Sequence, residues 1–232
     1  MAAANTIGTV EPKSADDASH MDVLAATAVG ATPAAPSAAP PPKVGQYAAL
    51  PLESTYTLAT RNTGSFLTQV GAAEVRVEFT CGARIWEGRK VITHSACQVT
   101  LLTRPEPDGA WIAILGPGDE PLLRYDPPIG YEWPLEVGKM WSRNHRFVFG
   151  TGQSLPVNIT CKVEAYEEVK VPAGTFRAFR VSYTRSDGVE QRVWFVPYLG
   201  IFAKSRTRRN ASYWAGGAGM QEQELVCLNF NK

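Results

Sequence analysis

The sequence predicts an all-β protein: one strongly curved antiparallel sheet, an open barrel or a sandwich, built as a meander of hairpins. The first observation is a period of two in the apolar side chains, clearest over residues 74–81 and 157–165, which is typical of strands with one buried face. The second is turn chemistry between such segments, as in Pro172-Ala173-Gly174 and Ser186-Asp187-Gly188, because proline presets φ and glycine accepts a positive φ. Long strands joined by hairpins favour a barrel or a sandwich.

The strand candidates follow one another along most of the chain. Glu87-Gly88 and Pro107-Asp108-Gly109 provide turns in the N-terminal half. Pro127-Pro128 and Trp133-Pro134 predict an extended crossing before the strand at 141–149. We find no stretch of helical periodicity longer than a turn or two. The predicted strands are 54–61, 64–81, 84–103, 111–115, 141–149, 163–171, 175–183, 189–196, 201–209 and 221–230.

Residues 1–46 differ in composition from everything that follows. They contain no aromatic side chain, and residues 25–42 consist mostly of alanine and proline. Small side chains bury too little apolar area to offset the ordering entropy of the backbone, and clustered prolines favour an extended chain. The sequence therefore predicts a disordered leader over 1–46 and one β domain over 47–232. The leader's uncharged start lacks the basic region of a signal peptide.

The overall charge and hydropathy exclude several classes of protein. With 23 basic and 22 acidic side chains the net charge is +1, which argues against nucleic acid as a partner. No apolar run approaches the roughly 20 residues of a transmembrane helix. No zinc-type Cys-x-x-Cys spacing and no regular calcium loop occurs. We expect neither a metal nor a cofactor.

The four cysteines leave two interpretations open. An even number fits two disulfides formed in an oxidising compartment, with three pairings to choose from. Alternatively, all four are free thiols that pack as small apolar side chains. The residues concerned are Cys81, Cys97, Cys161 and Cys227.

Three short motifs resemble a known group of proteins. They are Val-Pro-Ala-Gly-Thr-Phe at 171–176, Trp-Phe-Val-Pro-Tyr-Leu-Gly at 194–200, and Val-Gly-Lys-Met-Trp at 137–141. This pattern resembles bacterial exported domains and lipoproteins of unknown function, which combine such a hairpin with a Trp-aromatic-x-Pro-x-x-Gly strand end. The resemblance implies a β-rich fold and a periplasmic, cell-envelope or extracellular location. It carries over no catalytic residues, and the N-terminal lipid-acceptor cysteine of the lipoproteins is absent.

One basic segment stands out as a candidate ligand-binding surface. Lys204, Arg206 and Arg208 alternate along a predicted strand, so they share one face, with Tyr213 and Trp214 in the following loop. Such a stripe could meet lipid phosphates or an acidic polymer. The alternative is a solvent-facing strand whose charges prevent aggregation.

The function predicted from the sequence is a non-catalytic cell-envelope module. It would bind a lipid-like or other apolar ligand, or serve a structural role, with a lipid or an envelope protein as partner. One alternative is an interaction subunit that adds an exposed strand edge to another chain. A second is a hydrolase with an unrecognised site, in which His94 or His145 would meet a carboxylate and a nucleophile.

Overall fold

The computed structural model describes residue 45 and residues 47–105, 107–214 and 216–230. Within them, twelve strands form one closed barrel in which each strand pairs with its neighbours in sequence and β12 pairs with β1. All twelve pairings are antiparallel. The predicted all-β class and hairpin meander are therefore confirmed, and the curved sheet is a closed barrel. The predicted leader over 1–46 lies outside the described residues, apart from Gly45.

The barrel strands vary in length, and β8 and β9 form the longest hairpin. One short α-helix, α1 (Ser65–Val70), connects β1 to β2, and a single 3₁₀ turn, Pro117–Asp119, connects β5 to β6. No helix in the described part of the chain is long and apolar enough to cross a membrane. The strands are β1 (Thr55–Gly64), β2 (Glu74–Trp86), β3 (Arg89–Ala96), β4 (Val99–Thr103), β5 (Trp111–Leu115), β6 (Pro121–Ile129), β7 (Met140–Phe149), β8 (Ser154–Val171), β9 (Gly174–Arg185), β10 (Val189–Val196), β11 (Ile201–Arg209) and β12 (Gly219–Asn229).

The alternation of side chains along β8 builds one wall of the core. Val157, Ile159, Cys161 and Val163 are all buried, as the period of two predicts. They pack with aromatic side chains of β7, β9 and β10 in one of the two main apolar clusters. The interior of the barrel is therefore mostly filled by side chains.

A β-bulge lets the β8–β9 hairpin close one end of the barrel. The register slips between Val163 and Ala165, and a bulge of one residue exchanges the two faces of a strand. Beyond it, Val169 and Val171 are buried against residues of β11 and β12 such as Leu225. At the tip, the Ala173 amide donates to the carbonyl of Leu225. We call this end of the barrel the closed end.

The first described residues also cover the closed end. The Tyr47 amide donates to the Pro107 carbonyl, and the Ala48 amide donates to the Pro197 carbonyl. The Tyr47 ring lies against Gly109 and Gly200, where an added Cβ would come within 2.4 Å and 2.6 Å of ring carbons. Both glycines also have positive φ, so the two positions combine a left-handed backbone with close approach of a ring.

Three elements differ from the sequence predictions. Residues 121–129 form β6 although proline occurs three times there, because a paired strand tolerates proline where no ladder donor is needed. Helix α1 interrupts the strand predicted over 64–81, and its end is set by Gly71 in the left-handed conformation. The segment predicted as strand over 84–103 is divided at the predicted turn Glu87-Gly88 and again at Cys97, where the sequence predicts no turn; φ is positive at all three residues.

All four cysteines are free thiols, so the disulfide interpretation is not met in this structure. Cys81 on β2 and Cys161 on β8 are both buried, but the two strands lie six positions apart around the twelve-strand ring. Cys97 and Cys227 are exposed, and β1 and β2 lie between the strands that carry or flank them. Three strand spacings amount to about 14 Å, well beyond the roughly 7 Å that a disulfide can span.

Candidate functional site

The barrel contains a partly open cavity of about 130 Å³. Its walls come from β1, from β3 to β6, from β8 to β11, and from the segment around Tyr47. Apolar side chains such as Leu101, Ile159, Val193 and Phe202 form much of the lining. Hydrogen-bonding side chains are concentrated on two opposite sides of the cavity.

The first side, which we call the histidine wall, consists of Tyr47, Tyr56, His94 and Thr103. The four come from four different elements of the chain, and each is at least nine-tenths buried. The Tyr56 hydroxyl lies 3.2 Å from Nδ1 of His94. The Thr103 hydroxyl is near Tyr47, but no group of the described residues meets it at hydrogen-bonding distance and angle.

The imidazole of His94 is neutral and keeps one nitrogen unused. Burial lowers the pKa of His94 from 6.5 to about 4, because a charged ring would lose its hydration. Nδ1 faces the Tyr56 hydroxyl, whereas none of the hydrogen bonds found among the described residues uses Nε2. His94 lines the cavity, so its second nitrogen is available to a molecule inside.

The opposite side, which we call the tyrosine wall, consists of Tyr125, Tyr131, Tyr183, Arg185 and Gln191. The Tyr131 and Tyr183 rings meet edge to face, with ring centres 6.3 Å apart. Burial raises the pKa of Tyr125 to about 12, so its phenol is protonated at neutral pH. The Nε of Arg185 donates to a carboxylate oxygen of Asp187 at 3.0 Å, and its guanidinium lies 4.7 Å from the Phe147 ring centre.

The two walls face each other across the barrel. His94 lies on β3 and Thr103 on β4, whereas Tyr183 and Arg185 lie on β9 and Gln191 on β10. β3 and β9 are six strands apart in the ring, as are β4 and β10. A molecule in the cavity would therefore contact uncharged donors and acceptors on one side and a compensated arginine on the other.

The basic stripe predicted as a ligand surface lies on the outside of the barrel. Lys204 and Arg206 pair with Glu224 and Glu222 of β12 across the strand. Arg208 is opposite Met220 and is exposed. Because two of the three cations already meet carboxylates, the stripe presents little uncompensated charge. Its role in binding a ligand stays a prediction.

The two aromatic residues of that prediction contact other partners. Tyr213 lies beneath Arg209, whose guanidinium carbon is 4.4 Å from the ring centre. Trp214 is 52% exposed and meets Phe149 edge to face at 5.0 Å. The structure therefore places these rings beside Arg209 and Phe149.

The two histidines of the hydrolase alternative have partners other than carboxylates. His94 meets the Tyr56 hydroxyl, and Nδ1 of His145 lies 2.7 Å from the Pro127 carbonyl oxygen, to which it donates. Within the described residues, no group of three or more His, Cys, Asp or Glu side chains is placed to hold a metal ion.

Sequence reasoning missed the cavity residues. Five of the eight tyrosines line it, yet they come from distant segments, and nothing in the sequence brings them together. A usable signal was the alternation itself: Tyr183 shares a face with Val181 and Phe179, both fully buried. A tyrosine on the apolar face of a strand indicates a hydroxyl that needs a partner inside.

Comparison with known proteins gives weak structural similarities. No protein-family model matches the chain, and no curated protein matches its sequence significantly. A Bacteroides fragilis protein described as exported, with a YmcC-like fold, superposes with a TM-score of 0.47 at 11% identity, covering 80% of this chain and 99% of that one. A protein from Parabacteroides distasonis described as a lipoprotein gives a TM-score of 0.40 at 8% identity, covering 81% and 100%.

Another solved structure is similar at a comparable level. The hypothetical lipoprotein YmcC from Escherichia coli gives a TM-score of 0.38 at 13% identity, covering 74% of this chain and 83% of that one.

Proposed function

We propose that the protein is a non-catalytic binding module of the cell envelope that holds a small, largely apolar molecule inside its barrel. The observation that carries the proposal is the cavity of about 130 Å³ within an otherwise filled core. Side chains fill most of the barrel interior, so an unfilled, partly open cavity there requires an explanation. A resident ligand provides one.

The size of the cavity favours a small ligand. Pockets for drug-sized molecules measure about 300–1,000 Å³, whereas an apolar cavity of about 150 Å³ in another protein binds benzene. This cavity is close to the second value. It has room for one ring or a short chain, and a complete lipid would extend beyond it.

The envelope location rests on the sequence. The leader over 1–46 has the composition of an extended tether in front of the folded domain. The motifs at 171–176 and 194–200 resemble those of exported domains. In this chain the second motif includes Gly200, which makes room for the Tyr47 ring at the closed end.

The test uses benzene as the probe and thermal unfolding as the readout. A molecule that binds only the native state raises its Tm according to concentration and Kd. We expect a Tm increase that saturates with benzene. In Ile129→Trp the larger side chain occupies the cavity, so the increase should disappear.

A matched control distinguishes filling of the cavity from a general effect of introducing a tryptophan. Ile85 is 68% exposed and lies outside the cavity lining, so Ile85→Trp should keep the full response to benzene. Native mass spectrometry of protein from an exporting host would add direct evidence through a mass lost on denaturation. Absence of any benzene-dependent shift in the unsubstituted protein would contradict the proposal.

The structure gives less support to the alternative of an interaction subunit. Each strand in the described chain pairs with two neighbours in the ring, and addition of another chain needs a free edge. The ladder to β7 ends at Lys162, so the β8 extension keeps an edge. Glu164, Glu168 and Lys170 lie there, and charges on an edge disfavour strand addition.

A further inference from the structure

We infer that the cavity is specific for an uncharged ring compound bearing a hydroxyl group, which forms a hydrogen bond with Nε2 of His94. The inference rests on the proposed function and adds the chemical class of the ligand. It also names the atom that recognises the ligand.

The position of His94 is the first step. It is 4% exposed and lies on the cavity wall. Its Nδ1 is engaged by Tyr56, which fixes the orientation of the ring and directs Nε2 elsewhere. A ligand that excluded water from the cavity without a hydrogen-bonding group would leave Nε2 unsatisfied, at a free-energy cost. A hydrogen-bonding group of the ligand would remove that cost.

The protonation state of the ring selects a hydroxyl. A neutral imidazole has one nitrogen that donates and one that accepts. If the Tyr56 hydroxyl donates to Nδ1, then Nε2 carries the proton and donates into the cavity. If Nδ1 donates to Tyr56, then Nε2 accepts. A ligand hydroxyl satisfies either arrangement, whereas a carbonyl satisfies only the first.

The opposite wall does not favour a carboxylate ligand. Arg185 is the charged member of the tyrosine wall, and Asp187 already accepts hydrogen bonds from its Nε and Nη2. The carboxylate of Asp187 is only 6% exposed, so the pair is held away from water. An incoming anion would have to compete with an intramolecular bidentate pair.

The remaining lining fits a flat ring. Phe195 and Tyr131 have ring centres 4.3 Å apart, and both contribute to the cavity wall beside aliphatic residues such as Ile129. The two rings pack against each other, and aromatic side chains in a wall favour an aromatic guest through edge and face contacts. Phenol is therefore the smallest probe that contains every required feature.

The experiment compares phenol with benzene in the full chain and in two variants, by calorimetry. His94→Phe removes Nε2 and keeps a ring, and a hydroxyl left unsatisfied in the cavity should raise the Kd of phenol about tenfold. The Kd of benzene should stay within about twofold. Ile85→Phe is the control, since Ile85 is exposed and lies outside the cavity lining, and it should leave the preference for phenol unchanged.

A second readout on the unsubstituted protein guards against a misfolded variant. The ¹⁵N resonance of Nε2 of His94 should move when phenol is added and stay in place when benzene is added. Equal effects of His94→Phe on both probes, or an unchanged Nε2 resonance with phenol bound, would overturn the inference and leave the proposed function intact. Tighter binding of benzoate than of phenol would also overturn it. Failure of all three probes to bind would refute the proposed function as well.

Discussion

Burial of His94 predicts that the protein loses stability in mildly acidic solution. The pKa of His94 is about 4 in the folded protein and about 6.5 in an unfolded chain. Between these values the unfolded chain binds a proton at this position and the folded chain does not. The free energy of unfolding therefore rises with pH in this window and falls as the solution is acidified.

The magnitude follows from the two pKa values. With a folded pKa of about 4, His94 alone reduces the free energy of unfolding by about 2 kcal/mol at pH 5 and about 3 kcal/mol at pH 4, relative to pH 8. Carboxylates in ion pairs add their own acid sensitivity, mostly at lower pH. The contribution of His94 must therefore be isolated by difference.

Urea unfolding of the protein and of His94→Gln at pH 8 and pH 5 provides that difference. Glutamine retains a polar partner for Tyr56 and does not titrate. We expect the variant to lose about 2 kcal/mol less than the unsubstituted protein between the two pH values. Tyr56→Phe serves as the control, because burial rather than Tyr56 lowers the pKa. Equal losses in the protein and in His94→Gln would refute the reasoning.

Three further predictions concern packing, thiols and surface charge. Gly109→Ala should lower the free energy of unfolding by about 2 kcal/mol or more, because the added Cβ meets the Tyr47 ring. Gly88 also has positive φ but open space around it, so Gly88→Ala should lower it by only about 1 kcal/mol. Urea denaturation measures both values, and equal losses would contradict the role of the Tyr47 contact. A thiol reagent should label two cysteines in the native protein and four in denaturant; labelling of all four without denaturant would be inconsistent with the buried pair. Lys204→Gln should change the free energy of unfolding by less than about 1 kcal/mol, since its ion pair with Glu224 lies near the surface. A larger loss in the same assay would contradict this and show that the ion pair stabilises the fold.

Much of the secondary structure could be predicted because it depends on neighbours in sequence. The alternation over residues 157–163 indicates which face is buried, and the structure buries those side chains. Pro172-Ala173-Gly174 and Ser186-Asp187-Gly188 specify turns locally, and strands end on either side of each. Residues 65–70 were misassigned because six residues show too little periodicity to indicate a helix.

The cavity could not be predicted, since its walls are joined only by the closure of the barrel. Tyr56, His94 and Tyr183 are far apart in the sequence and reach one space because β1 pairs with β12. The unused nitrogen of His94 likewise depends on Tyr56, a contact across 38 residues. The bulge at Val163 and Ala165 redirects the β8–β9 hairpin, and alternation continues through it without a visible break in the sequence.

The sequence by itself determined the strand faces, the turns, the near-neutral charge and the contrast between the leader and the β domain. These are set by local backbone preferences and by composition. The tertiary structure decided that the sheet closes, that the basic stripe is paired with glutamates, and that two polar walls face one cavity. Such features depend on long-range register, which is fixed only when all strands pack together.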